Sequence, residues 1–216
     1  MAREHNQPPD NAEQYDKEAE ATGWVGPDIA FDLASKYIRP GQQILDIGIG
    51  TGLGSIPFRN TGLVVFGMDL SQEMLDASRA KGFTRLVRHD LTKRPYPYET
   101  ESMDHAICLG VLQFFDDLSP VFEETARILR HGGVFVFVVV DRSGTDTPEM
   151  IVPVELTGIG VPVTMYRHDT RRIDAWLAGN GFELLRSVPF IVFMDCGKTR
   201  RLPARAYLAR RIGLMK

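Results

Sequence analysis

Apolar residues fall along this chain in short runs that alternate with stretches of helical period. Residues 44–47, 64–68, 83–88, 103–109 and 134–140 have strand length and are rich in β-branched and aromatic side chains. The run 134–140 is apolar throughout, as a strand covered on both faces should be. Between these runs lie helical segments with start and stop signals. A helix is predicted after Gly52, with Pro57 in its first turns; the next is capped by Ser71 and stopped by Lys81-Gly82. Residues 118–129 form another, with Pro120 in the first turn and His131-Gly132-Gly133 ending it. Upstream, residues 12–37 are helical but interrupted by Gly23 and Gly26-Pro27. Downstream, 141–168 shows no clear period. A helix over 170–178 follows, capped by Asp169 or Thr170, and then late strands over 183–194 and 205–208. Alternating strands and helices predict a doubly wound α/β sheet. Ligands of such sheets bind outside the carboxyl ends of the strands, near the topological switch point.

With 216 residues and 44% hydrophobic composition, the chain suffices for one domain with a substantial core. A formal net charge of -3 supplies no global attraction for nucleic acid. Two cysteines, Cys108 and Cys196, make no disulfide framework and read as reduced thiols. Residues 1–22 are polar and show no signal peptide; residues 1–12 read as a disordered tail. The longest apolar run is too short to span a bilayer. A soluble, cytoplasmic protein with no membrane partner is the expectation.

The chemistry concentrates at predicted strand ends. The first strand runs into Asp46-Ile47-Gly48-Ile49-Gly50-Thr51-Gly52, the second ends at Asp69, the third at His89-Asp90, and the fourth leads into Leu109–Gln113. Four segments therefore converge on one crevice. Glycines let backbone approach a ligand and turn tightly into a helix, and a later carboxylate can accept from ribose hydroxyls, so a nucleoside cofactor is indicated. The dinucleotide fingerprint needs a third glycine three residues after the second. Leu53 breaks one register and Ser55 the other, and the lysine of a phosphate loop is missing. Asp46 would repel a pyrophosphate but suits a cationic amino-acid tail.

The segments 44–52, 65–69 followed by 71–77, 87–91, 103–115 and 128–139, in that order, resemble the small-molecule branch of the class I S-adenosylmethionine-dependent methyltransferases. The resemblance implies a Rossmann-like seven-stranded sheet, mostly parallel with one antiparallel strand near the C-terminus, in three α/β/α layers. It implies S-adenosyl-L-methionine as cofactor and S-adenosyl-L-homocysteine as product. Asp46 and the backbone of Gly48, Gly50 and Gly52 would hold the methionine part. Asp69 would take the ribose hydroxyls, with Leu70 and Met74 beside the adenine. Asp90 would accept from the adenine amino group, with Leu91 nearby, and the backbone at Leu109 would meet the methionyl end. Tyr15 resembles part of an N-terminal lid. The expected organisation is a helical lid over 13–39 and a methyltransferase domain over 40–211, with a substrate cap at 141–168. Acceptor choice is expected to reside in 12–28, 113–117 and 141–168, since long irregular segments in compact domains are usually functional.

Catalytic candidates are sparse. His168 precedes a helix start, from which it would face a substrate as a base; packing at the helix entry is the competing reading. Gln113 stands where related small-molecule enzymes often carry histidine, and glutamine orients but does not titrate. No His or Cys pair has metal-ligand spacing, so no metal is expected. The stretch 198–205 is basic, but it adjoins the apolar spacing of a last strand, so its arginines read as solvated flanks or partners for an acidic substrate group. Cys108 reads as core, and no hydrolase elbow is present. The remaining alternatives are a non-catalytic cofactor-binding module and an NAD(P)-dependent oxidoreductase, whose glycine register and hydride-transfer motif are missing. The expected partner is a small-molecule methyl acceptor, with the chain a monomer or homodimer.

Overall fold

A computed structural model describes residues 12–153 and 162–213. The expected tail at 1–12 therefore lies outside the described residues apart from Ala12, as does the middle of the expected cap, 154–161. In chain order the elements are α1 (Ala12–Thr22), α2 (Gly26–Ala34), β1 (Gln43–Ile47), α3 (Ile56–Asn60), β2 (Val64–Asp69), α4 (Gln72–Ala80) and β3 (Arg85–Arg88). Then come β4 (Met103–Cys108), α5 (Ser119–Ile128), β5 (Leu129–Val140), β6 (Glu149–Val152), β7 (Val163–Tyr166), α6 (Thr170–Gly179), β8 (Phe182–Phe193) and β9 (Arg201–Arg211). Short 3₁₀ turns occupy Leu53–Ser55 and Leu112–Phe114.

Seven strands form the main sheet in the order β3-β2-β1-β4-β5-β9-β8. The pairs from β3 to β5 are parallel, and β9 runs antiparallel to both β5 and β8. The expected single antiparallel strand is thus β9. The order reverses between β1 and β4, which sets the switch point there. Alternation along β5 divides the interior in two. Phe135, Phe137 and Val139 pack with Phe122, Ile173 and Leu177 of α5 and α6. Val134, Val136 and Val138 pack with Ala30, Phe58 and Leu75 of α2, α3 and α4. Both faces are therefore buried, which is why this strand carries no polar alternation.

Local chemistry explains the helix limits. Gly23 takes φ +66° and ends α1, and Pro27 sits in the first turn of α2. The Ser71 hydroxyl accepts from Met74 N, and the Asp169 carboxylate accepts from Arg171 N; caps of this kind contribute about 1 kcal/mol.

Four expectations need correction. The strand β5 begins at Leu129, directly after α5, rather than at 134. Leu129 already pairs with Met103, and Gly132 (φ +85°) and Gly133 bend the strand without breaking it. The segment 141–168 contains an antiparallel ribbon, β6 with β7, whose four-residue strands flanked by prolines are too short to show a period. The last strand runs over Arg201–Arg211, so it includes most of the basic stretch. Arg205 is no solvated flank: its Nε and Nη2 donate to Asp141 Oδ2 at 3.0 and 2.8 Å.

Candidate functional site

A cavity of about 340 Å³ opens at the carboxyl ends of β1, β2 and β4. Its walls include Asp46, Asp69 and Asp90, and the turn from Leu109 to Gln113. The convergence expected from sequence is thus a geometric one.

The glycine loop is pinned from within. Gly48 N and Ile49 N donate to Met68 O at 2.8 and 3.0 Å, and Gly52 N donates to Ile49 O at 2.9 Å. Gly50 N donates to Asp69 Oδ2 at 2.8 Å, and the Ser78 hydroxyl donates to Gly50 O at 2.8 Å. Gly48 and Gly52 take φ +78° and +86°; a Cβ at Gly48 would come within 2.4 Å of Val111, and one at Gly52 within 2.5 Å of Phe83. Gly50, at φ +54°, faces open space. A pyrophosphate cradle needs these N–H groups aimed at the ligand. Here they are donated to the protein itself, which refines the expected role of the loop. What it contributes to a ligand is close backbone approach beside a carboxylate, and that suits a cation.

That carboxylate, Asp46, is 2% exposed and accepts from the Ser55 hydroxyl at 2.7 Å. Burial pushes its pKa up to about 7, the Ser55 bond opposes the shift, and the charge of Asp69 adds to it. Asp69 Oδ1 also accepts from Ser71 N at 2.9 Å, so this residue ties the glycine loop to the start of α4. Asp90 Oδ1 accepts from Thr92 N and from its hydroxyl. Leu70, Met74 and Leu91 line the same side of the cavity.

The first helix closes the cavity from above. Tyr15 lines it, and burial together with the charges of Asp46, Asp16 and Asp69 pushes its hydroxyl well up. Gly110, at φ +73°, leaves room under this lid: a Cβ there would sit 3.5 Å from Trp24 and 3.7 Å from the Tyr15 hydroxyl. Asp16 anchors the helix, accepting from the Thr51 hydroxyl at 2.6 Å and pairing with Lys81.

Gln113 lies on the wall and donates from Nε2 to Gly110 O at 2.7 Å. His168 does not line the cavity. It is 1% exposed, Nε2 lies 3.3 Å from Leu112 O, and its ring meets Trp176. Burial lowers its pKa to about 4. A base must come within hydrogen-bond reach of the proton it takes, so the packing reading replaces the expected base. Among the described residues no cluster of His, Cys, Asp or Glu is arranged to hold a metal ion, and no helix is long and apolar enough to cross a membrane.

Sequence reasoning missed part of the wall. Trp24, from the expected 12–28 segment, lines the cavity together with the unexpected Phe193, Met194 and Leu202. The last three come from the far end of the β8–β9 hairpin, which continues beyond the final β5 pairing of Val140 with Ala204. The length of the late apolar run was the available signal, since a strand longer than its neighbours must project past the sheet.

Fold and site together define an α/β protein with an acidic crevice at its strand ends beside an apolar chamber. Residues 45–137 match the model of a family described as a methyltransferase domain, and that match supports a class I S-adenosylmethionine-dependent methyltransferase. An uncharacterized chloroplastic methyltransferase of Arabidopsis thaliana is 30% identical over 148 residues, which cover 61% of this chain and 41% of that protein. The malonyl-[acyl-carrier protein] O-methyltransferase of Serratia marcescens is 35% identical over 100 residues, covering 46% and 38%. The chain thus spans about two fifths of the length of these two relatives. A solved S-adenosylmethionine-dependent methyltransferase of Methanosarcina mazei shares the fold, with a TM-score of 0.73 at 14% identity, covering 85% of this chain and 98% of that one. The cofactor of the family is S-adenosylmethionine. The site residues fit it: Asp46 offers an anion beside the open space at Gly50, and Asp69 and Asp90 stand at successive strand ends.

Proposed function

We propose that this chain transfers a methyl group from S-adenosylmethionine to a small-molecule acceptor, mainly by positioning. The observation that carries the reading is one cavity whose acidic side, Asp46, Asp69 and Asp90, is continuous with an apolar side beyond Gly110. In this reading Asp46 and the loop from Gly48 to Gly52 hold the cationic amino-acid tail. Asp69 accepts from the ribose hydroxyls, Leu70 and Met74 lie beside the adenine, and Asp90 with Leu91 and the backbone at Leu109 complete the donor side. When bound, the cofactor supplies an already activated methyl group. The protein then has to hold the acceptor in line and keep water out. Orientation of this kind is worth on the order of 7–11 kcal/mol of barrier. Tyr15 and its helix serve as the lid over 13–39, and the ribbon β6–β7 as the acceptor cap. Gln113 orients the acceptor, and no titratable side chain is assigned to the acceptor wall.

The test has two stages. Calorimetry should show binding of S-adenosylmethionine and S-adenosylhomocysteine but not NAD. Asp69→Ala should weaken both by about tenfold or more, through lost hydrogen bonds to a charged group and a loosened Gly50. Methyl-labelled cofactor incubated with a metabolite extract should then yield a labelled product. Binding without any product across a broad extract would favour a non-catalytic module instead.

A further inference from the structure

We propose that the methyl acceptor is an uncharged molecule with a flat aromatic body and one hydrogen-bond donor, presented to Gln113; the proposal rests on the methyltransferase reading of the acidic side. Charge is distributed unevenly around the cavity. Its charged lining residues among those described are Glu18, Asp46, Asp69 and Asp90, all on the lid or the donor side. From Gly110 onward every described lining residue is uncharged. No Lys, Arg or His lines the cavity among the described residues. An anionic acceptor would meet three aspartates and no cation among the described lining residues, with the donor's sulfonium alone to offset its charge. A cationic acceptor would lie against aliphatic and aromatic walls and beside the positive charge that the donor carries. Burying an unpaired charge costs several kcal/mol, on the order of the whole binding energy of a small ligand.

The walls also specify shape. Phe114 and Phe115 come from the turn after β4, Phe193 from the end of β8 with Met194 just beyond it, and Met165 from β7. Three elements thus supply rings and thioethers around one space. Such groups pack on flat π faces, and thioethers adapt to irregular outlines. The ribbon is one-sided in the same sense. Val152 pairs with Val163 and lines the cavity, whereas the next pair, Ile151 with Thr164, faces away, and Ile151 is 72% exposed.

One polar side chain interrupts this surface. Gln113 stands at the boundary with the donor side, and its bond to Gly110 O uses one of the two N–H groups of Nε2 and holds the amide in place. The amide oxygen takes no hydrogen bond among the described residues, so it is open to accept an O–H or N–H group from a ligand. That places the donor group of the acceptor molecule next to the boundary where methyl transfer occurs.

The test uses three naphthalene probes of one size and substitution pattern: a naphthol, the corresponding naphthoate and the corresponding methoxynaphthalene. S-adenosylhomocysteine affinity is measured first and alone, so failure of the cofactor reading shows there. If it does not bind, the same probes are titrated into the free protein, whose wall is the same. With the cofactor product saturating, the naphthol should bind at least about tenfold more tightly than the naphthoate and severalfold more tightly than the methoxynaphthalene. Phe193→Asp should weaken naphthol binding by about tenfold or more, with S-adenosylhomocysteine affinity reporting an intact fold. Gln113→Leu should erase the preference for naphthol over methoxynaphthalene. Equal or tighter binding of the naphthoate overturns the proposal. So does naphthol affinity that neither Phe193→Asp nor Gln113→Leu alters.

Discussion

Thr51 and Asp16 join the glycine loop to the first helix through a 2.6 Å hydrogen bond, and the same carboxylate pairs with Lys81 at the end of α4. One side chain therefore bridges three elements that surround the cavity. A second tie runs from Ala12 N to Glu73 Oε1 at 3.1 Å. The helix itself is short and mostly polar, so these bonds hold it more than apolar burial does.

Asp16→Ala should release this helix while leaving the sheet intact. Hydrogen bonds to charged groups are worth about 1.5–3 kcal/mol, so the dissociation rate of S-adenosylhomocysteine should rise roughly tenfold or more. Stopped-flow measurement of Tyr15 or Trp24 fluorescence reads this directly. A smaller rise is expected for Thr51→Val, which removes one bond and leaves Lys81 paired. Unchanged rates in both variants would remove Asp16 from any role in closure.

Asp46 should make cofactor binding depend on pH. Its folded pKa of about 7 means that the carboxylate is half protonated near neutrality. A cationic tail selects the ionised form, so affinity should rise as pH rises from 6 to 8. The slope should approach about tenfold per unit on the acid side. Asp46→Asn should bind more weakly and lose this dependence, which calorimetry across that range would reveal. A wild-type affinity that is flat in pH would sever the link between Asp46 and the tail.

Two buried histidines make stability depend on pH in a different window. His105 Nε2 lies 3.0 Å from Gln42 Oε1, and its Nδ1 accepts from Val134 N at 3.3 Å. That arrangement requires the neutral ring. Burial lowers the pKa of both His105 and His168 from 6.5 to about 4. The unfolded chain then binds more protons between about pH 4 and 6.5, so stability is full above 6.5 and falls as pH drops through this window, by roughly 3 kcal/mol per histidine. Asp46 works against them, since its raised pKa makes the folded state the better proton binder there. The net trend should still be a fall toward acid, seen as a lower urea midpoint at pH 5 than at pH 7. His105→Gln with His168→Asn should remove the fall and leave the opposing rise from Asp46, and a wild-type midpoint that rises toward pH 5 would contradict the assignment.

What the sequence made legible follows from where the information is local. Asp46, Asp69 and Asp90 each stand at or close to the carboxyl end of a predicted strand, and parallel strands put such ends side by side, so their positions along the chain placed them together. The caps at Ser71 and Asp169 and the turn at Gly23 are similarly local. His168 misled because a helix-entry position says nothing about which way the ring points; its burial against Leu112 and Trp176 depends on tertiary packing. The tie between Asp16 and Thr51 joins residues 35 positions apart with no pattern between them. Phe193 and Leu202 reach the cavity only because β8 and β9 outrun β5, which depends on register. The donor side is therefore readable as motif and the acceptor side only as geometry.

Gly133 and Gly179 offer a matched pair in which the same substitution should act with opposite sign. A Cβ at Gly133 would lie 2.2 Å from the carbonyl oxygen of Asp104 and 3.0 Å from that of Arg130. Both are backbone atoms, so no side chain can swing aside. Relief would require parting β4 and β5 near the register shift between Met103 and His105. Overpacking that moves backbone costs about 1–3 kcal/mol or more, and Gly133→Ala should lower the urea midpoint accordingly. Gly179 ends α6 with nothing within 4 Å of a Cβ and no positive φ. There alanine restricts the unfolded chain and favours the helix, for a gain of about 0.4–1 kcal/mol. Both positions lie outside the cavity lining, so S-adenosylhomocysteine affinity of the folded protein should match wild type in each. A stabilising Gly133→Ala would mean that the strands separate there at little cost, and that the close contact with Asp104 does not govern the β4–β5 junction.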